Sequence, residues 1–248
     1  MNYTDLITEA GEDIVIPSKT YNQKGVIVQQ SSVNSVLSRK TGRKQGEYIT
    51  ISPSADNSPD TISNVLKIAL KKLLRLAGIH EGKLLVVGLG NENVIVDALG
   101  NEVAKRIIAG GKEYNLATIA PKVADITGIK SFDIVQAIVN QHKPDVVIAI
   151  DTLATRFLQR LGNCYQLTDA GICPGGGVGN PQPCLDKKSL NIPVIAIGVP
   201  LIISVGSILS NDKKAIGYSH YMLTPRDVDF LVQRCASVIA NAINSINR

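Results

Sequence analysis

The sequence predicts an α/β fold, with a mixed, mostly parallel sheet and helices on both faces. Three apolar runs carry this prediction, at residues 84–87, 145–150 and 193–200, because such runs are typical of strands that are covered on both sides. Amphipathic segments between the runs indicate helices that alternate with the strands. The chain has 248 residues, of which 44% are hydrophobic, so we expect a single α/β domain over residues 1–248.

The first third of the chain contains one long helix, predicted over residues 61–77. Ser58 is placed to cap it, Pro59 suits its first turn and Gly78 can end it. Apolar residues recur along one face of this segment, which indicates that the face packs on the sheet. The other predicted elements here are an irregular start (1–24), strands at 26–30 and 47–52, and a basic turn between them (38–46).

The remaining two thirds alternate between predicted strands, helices and one long glycine-rich loop. Each helix starts near a polar or proline residue and each buried strand is short, as in parallel sheets. The predicted elements are a strand at 84–87, helix 98–109, strand 116–120, helix 131–141, strand 145–150, helix 152–161, strand 164–168, loop 169–183, strand 193–200 and a last helix from 224.

Composition and charge exclude several functional classes. The net charge of +5, the absence of Trp and an aromatic content of 4% do not indicate direct nucleic-acid binding, because no dense basic block or stacking platform is present. The start of the chain lacks a basic segment followed by an apolar one, and no run of 18 apolar residues occurs. We therefore expect a cytoplasmic protein that neither enters nor crosses a membrane.

The four cysteines are expected to be reduced in a cytoplasmic protein. Cys164, Cys173 and Cys184 surround the glycine-rich loop, while Cys235 lies in the last helix. No C-x-x-C pair occurs, which argues against a zinc or thioredoxin-like site. A redox or metal role for the three clustered cysteines is the alternative, but we predict that they are inert and that the protein needs no metal or cofactor.

The histidines and common motifs give no catalytic centre. His80 and His142 precede predicted strands, at the end of the sheet away from the usual ligand crevice, and His220 lies among aromatic and apolar residues. The chain lacks a G-x-S-x-G elbow, an H-E-x-x-H zinc motif and a P-loop. Carboxylates are therefore the remaining candidates for acid–base chemistry.

Two carboxylates, Asp97 and Asp151, each follow a buried strand at its carboxyl end. If those strands are neighbours, both side chains face one crevice, where two close carboxyl groups share a proton. One could then take a proton from water while the other donates to a substrate carbonyl oxygen. The alternative is that each aspartate caps the helix predicted after it, and the sequence leaves both interpretations open.

Glycine-rich segments follow two of the strands and indicate contact with a substrate backbone. Gly90 and Asn91 lie in the turn after the strand at 84–87, and Gly175 and Gly177 lie in the loop 169–183. Glycines let another chain approach the backbone closely and leave N–H groups open to it. We assign these four residues to substrate binding, although the long loop could also be an idle surface segment.

Taken together, the motifs resemble the spore germination protease family. Glycines and aspartates at 88–100, 148–156 and 169–180, and the strand at 192–200, follow in the order of that family. Shorter matches at 4–6, 46–51 and 223–225 extend the likeness over nearly the whole chain. Val96 departs from the family pattern, which usually has proline before the first aspartate.

The resemblance implies an atypical aspartic endopeptidase of phosphorylase/hydrolase-like fold that degrades small acid-soluble spore proteins during germination. It also implies a homotetramer in the spore core and a zymogen that trims its own N-terminus. The family's proposed catalytic aspartates fall on Asp97 and Asp151, and its self-cleavage point falls between Asp5 and Leu6, so that residues 1–5 would form a short propeptide. The alternatives are a hydrogenase-maturation-type peptidase of the same fold and a relative that binds its partner without cutting.

Overall fold

The computed structural model describes residues 4–10, 14–174, 183–208 and 221–247. Within these ranges nine strands form one sheet, in the order β1-β2-β3-β7-β8-β6-β4-β5, with β9 beside β8. The strands are β1 (Ser18–Gln23), β2 (Val26–Val33), β3 (Gly46–Ser52), β4 (Gly82–Gly88), β5 (Tyr114–Ile119), β6 (Val146–Thr155), β7 (Tyr165–Thr168), β8 (Val194–Ser204) and β9 (Met222–Leu223).

The sheet is mixed, as the sequence predicted. Parallel pairings join β5, β4, β6 and β8 into its central part. Antiparallel pairings join β1, β2, β3 and β7 to one another and to β8, and β9 also runs antiparallel to β8. The antiparallel part is therefore larger than the apolar runs alone indicated, because strands such as β1 are exposed and polar.

Helices cover both faces of the sheet, which confirms the second part of the predicted fold class. On β4, Leu84 and Val86 pack in a cluster with α2, α3 and α8, whereas Leu85 and Val87 pack in a second cluster with α5 and α6, so side chains alternate between two buried faces. The helices are α1 (Ser35–Thr41), α2 (Pro59–Leu76), α3 (Leu99–Ala104), α4 (Ala124–Thr127), α5 (Ser131–His142), α6 (Lys187–Leu190), α7 (Val205–Ile208) and α8 (Val228–Asn244).

Helix α2 forms for the reasons that its sequence indicated. The Ser58 side chain accepts a hydrogen bond from the main-chain N–H of Thr61, and Pro59 occupies the first turn. On its apolar face Val65, Leu70 and Leu73 are fully buried, whereas Leu76 at the end of the helix is exposed. None of the helices in the described residues is both long enough and apolar enough to span a membrane.

The predicted helix at 152–161 is wrong, because β6 continues through Asp151 to Thr155. Residues 152–155 pair with β8, where Thr152 faces Val199 and Thr155 faces Ile203, and β-branched threonines suit a strand. Only a 3-10 turn, Leu158–Arg160, follows. Sequence periodicity could not show this, because the pairing partner lies more than 40 residues away along the chain.

Three further boundaries differ from the sequence prediction. The helix expected at 98–109 is the shorter α3, preceded by a 3-10 turn at Ile95–Asp97. The start of the chain, expected to be irregular, contains β1, which pairs with β2. The basic turn at 38–46 overlaps α1, whose first turn is capped by the Asn34 side chain and whose end is marked by Gly42 in the left-handed conformation.

The expectation of four reduced cysteines is contradicted, since Cys173 and Cys184 form a disulfide. The neighbouring residues Ile172 and Leu185 exchange two main-chain hydrogen bonds of 2.9 and 2.8 Å, and this antiparallel bridge brings the two thiols together. Cys164 and Cys235 are free and buried, so their prediction as reduced thiols stands.

The disulfide predicts how many thiols an unreduced sample contains. Unfolded in denaturant without reductant, the chain should react with two equivalents of a thiol reagent, and with four after reduction. Because the bond closes a loop with a sequence separation of 11, reduction should lower the free energy of unfolding by at most about 3 kcal/mol. A Cys164→Ala variant should lose one equivalent under both conditions, whereas four equivalents in unreduced wild-type protein would contradict the bond.

Candidate active site

The two candidate aspartates lie just beyond the carboxyl end of β4, Asp97 in the turn that follows it and Asp151 within the neighbouring parallel strand β6. Strands β4 and β6 pair in parallel, with Gly88 opposite Ile150, so the condition that these strands are neighbours is met. Asp97 belongs to the 3-10 turn that follows β4, and Asp151 lies in β6 directly after Ile150. Both side chains line one cavity of about 460 Å³.

Close backbone packing explains why glycines surround Asp97. Gly90 has a φ of +105°, and a Cβ there would lie 2.0 Å from the carbonyl oxygen of Asp97. A Cβ at Gly100 would lie 2.3 Å from the Leu89 oxygen and 2.6 Å from the Ile150 oxygen. Any side chain at these two positions would push the Asp97 turn away from the ends of the strands.

Asp97 is half-buried and is held by the turn before it. Its Oδ2 accepts a 2.7 Å hydrogen bond from the main-chain N–H of Asn91. Burial raises the pKa of Asp97, and this hydrogen bond opposes the rise because it stabilises the charged form. Helix α3 begins at Ala98 without a side-chain cap, so the capping interpretation of Asp97 is wrong.

Asp151 is more buried, with an exposed fraction of 6%. Burial raises its pKa well above the ordinary value, and the nearby charges of Asp97 and Asp5 raise it further. Its Oδ1 accepts a 2.8 Å hydrogen bond from the N–H of Thr152, which opposes the rise. No helix starts after Asp151, so its capping interpretation is also wrong.

The two carboxyl groups therefore differ in environment although they share one cavity. The pKa of Asp151 is raised by nearly complete burial and by the Asp97 charge, whereas Asp97 is only half-buried, and each carboxylate accepts one main-chain hydrogen bond. Neighbouring carboxyl groups with unequal pKa values lose their protons one after the other. The directions of the two shifts favour Asp151 as the group that keeps its proton to higher pH.

Apolar side chains form most of the cavity wall. Phe132 at the start of α5 and Leu185 belong to this wall, and Lys130 and Asp125 are the other charged residues among the described lining. Across the described parts of the chain, no group of three or more His, Cys, Asp or Glu side chains is arranged to hold a metal ion. The other apolar members of the described wall are Leu89, Val94, Val96, Val123, Ala124, Pro174, Pro183, Ile202 and Met222.

The residues assigned to substrate binding fall partly on this wall. Gly90 and Asn91 line the cavity, but the N–H of Asn91 is used by Asp97 and the carbonyl oxygen of Gly90 accepts from Asn101. Gly175 and Gly177 lie outside the described residues. Pro174 and Pro183, which flank that undescribed segment, both line the cavity.

The residues assigned to self-cleavage are integrated into the fold. The N–H of Asp5 donates to the Ala154 oxygen at 3.0 Å, and the Ala154 N–H donates to Asp5 Oδ2 at 2.7 Å. Leu6 is fully buried. The Gln166 side chain binds the peptide groups on both sides of Leu6. It donates a hydrogen bond to the Asp5 oxygen and accepts one from the Ile7 N–H.

A buried charge cluster that the sequence did not reveal anchors this segment. Glu9 has an exposed fraction of 3%, and its Oε1 lies 3.2 Å from Arg160 Nη1. The same carboxylate accepts hydrogen bonds from Thr155 Oγ1 at 2.6 Å and from the Arg156 N–H at 2.7 Å. Two arginines four residues apart are ordinary on a surface, so nothing in the pattern indicated that they meet Glu9.

Comparison with known proteins identifies the family. The family profile described as germination protease matches residues 5–221. The chain belongs to the germination protease family. A germination protease of Bacillus thuringiensis subsp. konkukian (strain 97-27) is 36% identical over 211 residues, which cover 78% of this chain and 58% of that protein. The germination protease of Oceanobacillus iheyensis (strain HTE831) is 36% identical over 230 residues, covering 84% of this chain and 63% of that one.

The chain thus spans less than two thirds of the length of these curated germination proteases. Among solved structures, the NiFe hydrogenase maturation protease HycI from Thermococcus kodakarensis KOD1 aligns with a TM-score of 0.40 and 17% identity. That alignment covers 69% of this chain and 98% of HycI. This similarity is too low to carry an argument about function.

The raised pKa of Asp151 predicts a stability gain when its charge is removed. The folded state holds the Asp151 proton more tightly than the unfolded state, so the free energy of unfolding falls as pH rises above the ordinary Asp value of 3.8. Asp151→Asn should therefore unfold at higher urea concentration than wild type near neutral pH, with the difference shrinking as pH falls toward 3.8. The exposed Asp56→Asn should show no such trend, and a pH-independent difference for Asp151→Asn would contradict the assignment.

Proposed function

We propose that this chain is an aspartic-type endopeptidase that degrades small acid-soluble spore proteins during germination, with Asp97 and Asp151 as its catalytic pair. One observation carries the proposal: the carboxyl groups of Asp97, in the turn after β4, and of Asp151, in the adjacent strand β6, line one cavity, and burial raises the pKa of Asp151 the more strongly of the two. Membership of the germination protease family supports the reaction type. The resemblance to the family and the chemistry of the cavity thus support the same two residues.

The proposed reaction uses each carboxyl group in the form that its surroundings favour. Ionised Asp97 takes a proton from a water molecule, whose oxygen attacks the scissile carbonyl carbon. Protonated Asp151 gives its proton to the carbonyl oxygen, so that a neutral tetrahedral intermediate forms. As the C–N bond breaks, Asp97 passes its proton to the leaving nitrogen and Asp151 recovers one from the intermediate's hydroxyl group. The apolar wall formed by residues such as Phe132 and Leu185 excludes other water from these steps.

The resemblance to the family supports the wider proposal. We propose that residues 1–248 act as a single peptidase domain, that the chain works as a homotetramer in the cytoplasm of the spore core, and that Gly90, Asn91, Gly175 and Gly177 contact the substrate backbone. Gel filtration with light scattering tests the oligomer, and a mass of one chain would contradict it.

The catalytic pair predicts that either amide variant is inactive. Asp97→Asn and Asp151→Asn should each lower kcat for a purified small acid-soluble spore protein by about 10³-fold or more, because each removes a proton-transfer group. The exposed Asp56→Asn is the matched control and should keep full activity. Mass spectrometry of the fragments measures the rates, and wild-type rates in either variant would exclude the pair.

The same assay separates the alternative functions. A maturation-type peptidase would cut only a substrate that carries its metal, so cleavage that persists in the presence of a chelator contradicts that alternative. A non-catalytic relative would bind the spore protein and leave it intact. Fragments produced by wild type and absent with Asp151→Asn would contradict that alternative as well.

We further propose that the chain can cut itself between Asp5 and Leu6. Asp5 exchanges two hydrogen bonds with Ala154 of β6, the strand that carries Asp151, which supports a position of this segment near the catalytic pair. The peptide group to be cut is held by Gln166, and Leu6 is fully buried, so the segment must detach before water and both carboxyl groups can reach it. Detachment is therefore the step that would limit the rate.

Weakening the Glu9 anchor should accelerate this self-cleavage. Glu9→Gln removes the charge that faces Arg160 and Arg156, and breaking a buried ion pair from one side costs about 3–5 kcal/mol. Intact-mass measurements over time should show loss of residues 1–5 sooner in Glu9→Gln than in wild type. The double variant Glu9→Gln with Asp151→Asn should stay intact, and equal rates in Glu9→Gln and wild type would contradict the detachment step.

A further inference from the structure

Asn101 is a fully buried polar side chain close to the catalytic pair. It lies on α3, between the buried residues Leu99 and Val103, with no exposed surface. Its Nδ2 donates a 3.0 Å hydrogen bond to the carbonyl oxygen of Gly90. Its Oδ1 has no hydrogen-bond partner among the described residues. The reverse amide orientation would place two acceptors against each other, so the Gly90 contact determines which way the side chain points.

The Gly90 oxygen belongs to the same peptide group as the Asn91 N–H. In a trans peptide the carbonyl and the N–H point in opposite directions. The structure contains no cis peptide in its described residues, so one end of this group faces Asn101 and the other faces Asp97. The two contacts are 3.0 Å from Asn101 Nδ2 to the Gly90 oxygen and 2.7 Å from the Asn91 nitrogen to Asp97 Oδ2. A single amide therefore connects Asn101 to the catalytic carboxyl group, and hydrogen bonds in series strengthen each other.

The orientation of this peptide group is not secured by the turn alone. Gly90 has a φ of +105°, and glycine accepts several backbone conformations at little cost. Rotation of the 90–91 peptide would turn its N–H away from Asp97 and its oxygen toward it. The bond from Asn101 opposes that rotation from the far side of the peptide. Burying Oδ1 without a hydrogen-bond partner lowers the stability of the fold. The bond that Nδ2 donates to the Gly90 oxygen is therefore the contribution of this side chain.

We propose that Asn101 is a positioning residue for the reaction, which fixes the 90–91 peptide so that the Asn91 N–H remains on Asp97 Oδ2. The inference rests on the proposed function, because it deepens the role of Asp97 within that site. Asn101 does not line the cavity and acts only through the peptide group. Removing its donor should disturb the ionisation of Asp97 without changing the walls that a substrate contacts.

The effect on Asp97 has a defined sign. The Asn91 hydrogen bond lowers the pKa of Asp97 against the effect of burial, so its loss should raise that pKa. The other charged groups of the cavity are Asp151 on β6, Asp125 on α4 and Lys130 before α5, and none of them is altered by a change at Asn101. The acid limb of the pH–rate profile should therefore move to higher pH, because Asp97 reacts in its ionised form.

The test uses Asn101→Leu in the full chain, which removes the donor and the unpartnered acceptor at similar volume. We expect kcat to fall about 10–100-fold with little change in KM, as for other partners that orient a reacting group, and the acid limb to shift upward. A pH titration of the Asn91 amide resonance by NMR should show the same upward shift, without any need for activity. Asn101→Ala, which removes the donor without introducing a titratable group, is the second variant if the leucine variant fails to fold.

Asn64→Leu is the matched control, because Asn64 also donates from Nδ2 to a main-chain carbonyl, that of Asp60, at 3.0 Å on the exposed side of α2. It should leave kcat, KM and the Asn91 titration unchanged. An unchanged Asn91 titration in Asn101→Leu, or a loss expressed only in KM, would overturn the positioning role even if the protein is a protease. Conversely, absence of cleavage by wild type would remove the proposed function, while the NMR titration would still decide whether Asn101 controls Asp97.

Discussion

The parallel pairing of two strands of unequal length is the constraint on which the site depends. Strand β4 ends at Gly88, while β6 continues beside β8 as far as Thr155. The chain leaving β4 therefore turns back over the free edge of β6, and the Leu89 N–H still donates to the Ile150 oxygen at 2.8 Å. This geometry brings Asp97, from a turn, next to Asp151, from the middle of a strand.

The different surroundings of Asp97 and Asp151 shift their pKa values to different extents. Asp151 sits inside a strand and loses nearly all contact with water, so that its neutral form is favoured. Asp97 sits on a turn that leaves it half-buried, and each of the two carboxylates accepts one main-chain hydrogen bond. The different burial of the two carboxyl groups thus follows from the different elements that carry them.

Much of the fold could be predicted from local patterns, and the rest depended on contacts distant in sequence. Apolar runs located β4, β6 and β8, and the cap at Ser58 located α2. The position of Asp97 and Asp151 after two such runs was sufficient to select them. Periodicity failed where strand pairing determines the structure. The sequence around Thr152 favours a helix, but this residue pairs with β8 and belongs to a strand.

The same limit applies to the polar residues around the site. A buried asparagine between Leu99 and Val103 falls on the apolar face of its helix, and this position was a usable indication that Asn101 has a specific partner. Glu9 gave no comparable indication, because its partners Arg156 and Arg160 lie about 150 residues later. The pairing of Cys173 with Cys184 was missed because the expectation of reduced cysteines rested on a cytoplasmic location. The backbone bridge that brings the two residues together could not be inferred from the sequence.

The bond between Cys173 and Cys184 also has a practical meaning for handling the protein. The residues next to it, Pro174, Pro183 and Leu185, are part of the cavity wall. This part of the wall is thereby linked to the thiol–disulfide balance of the medium. Samples purified with and without a dithiol differ covalently at this wall and should be compared as separate species.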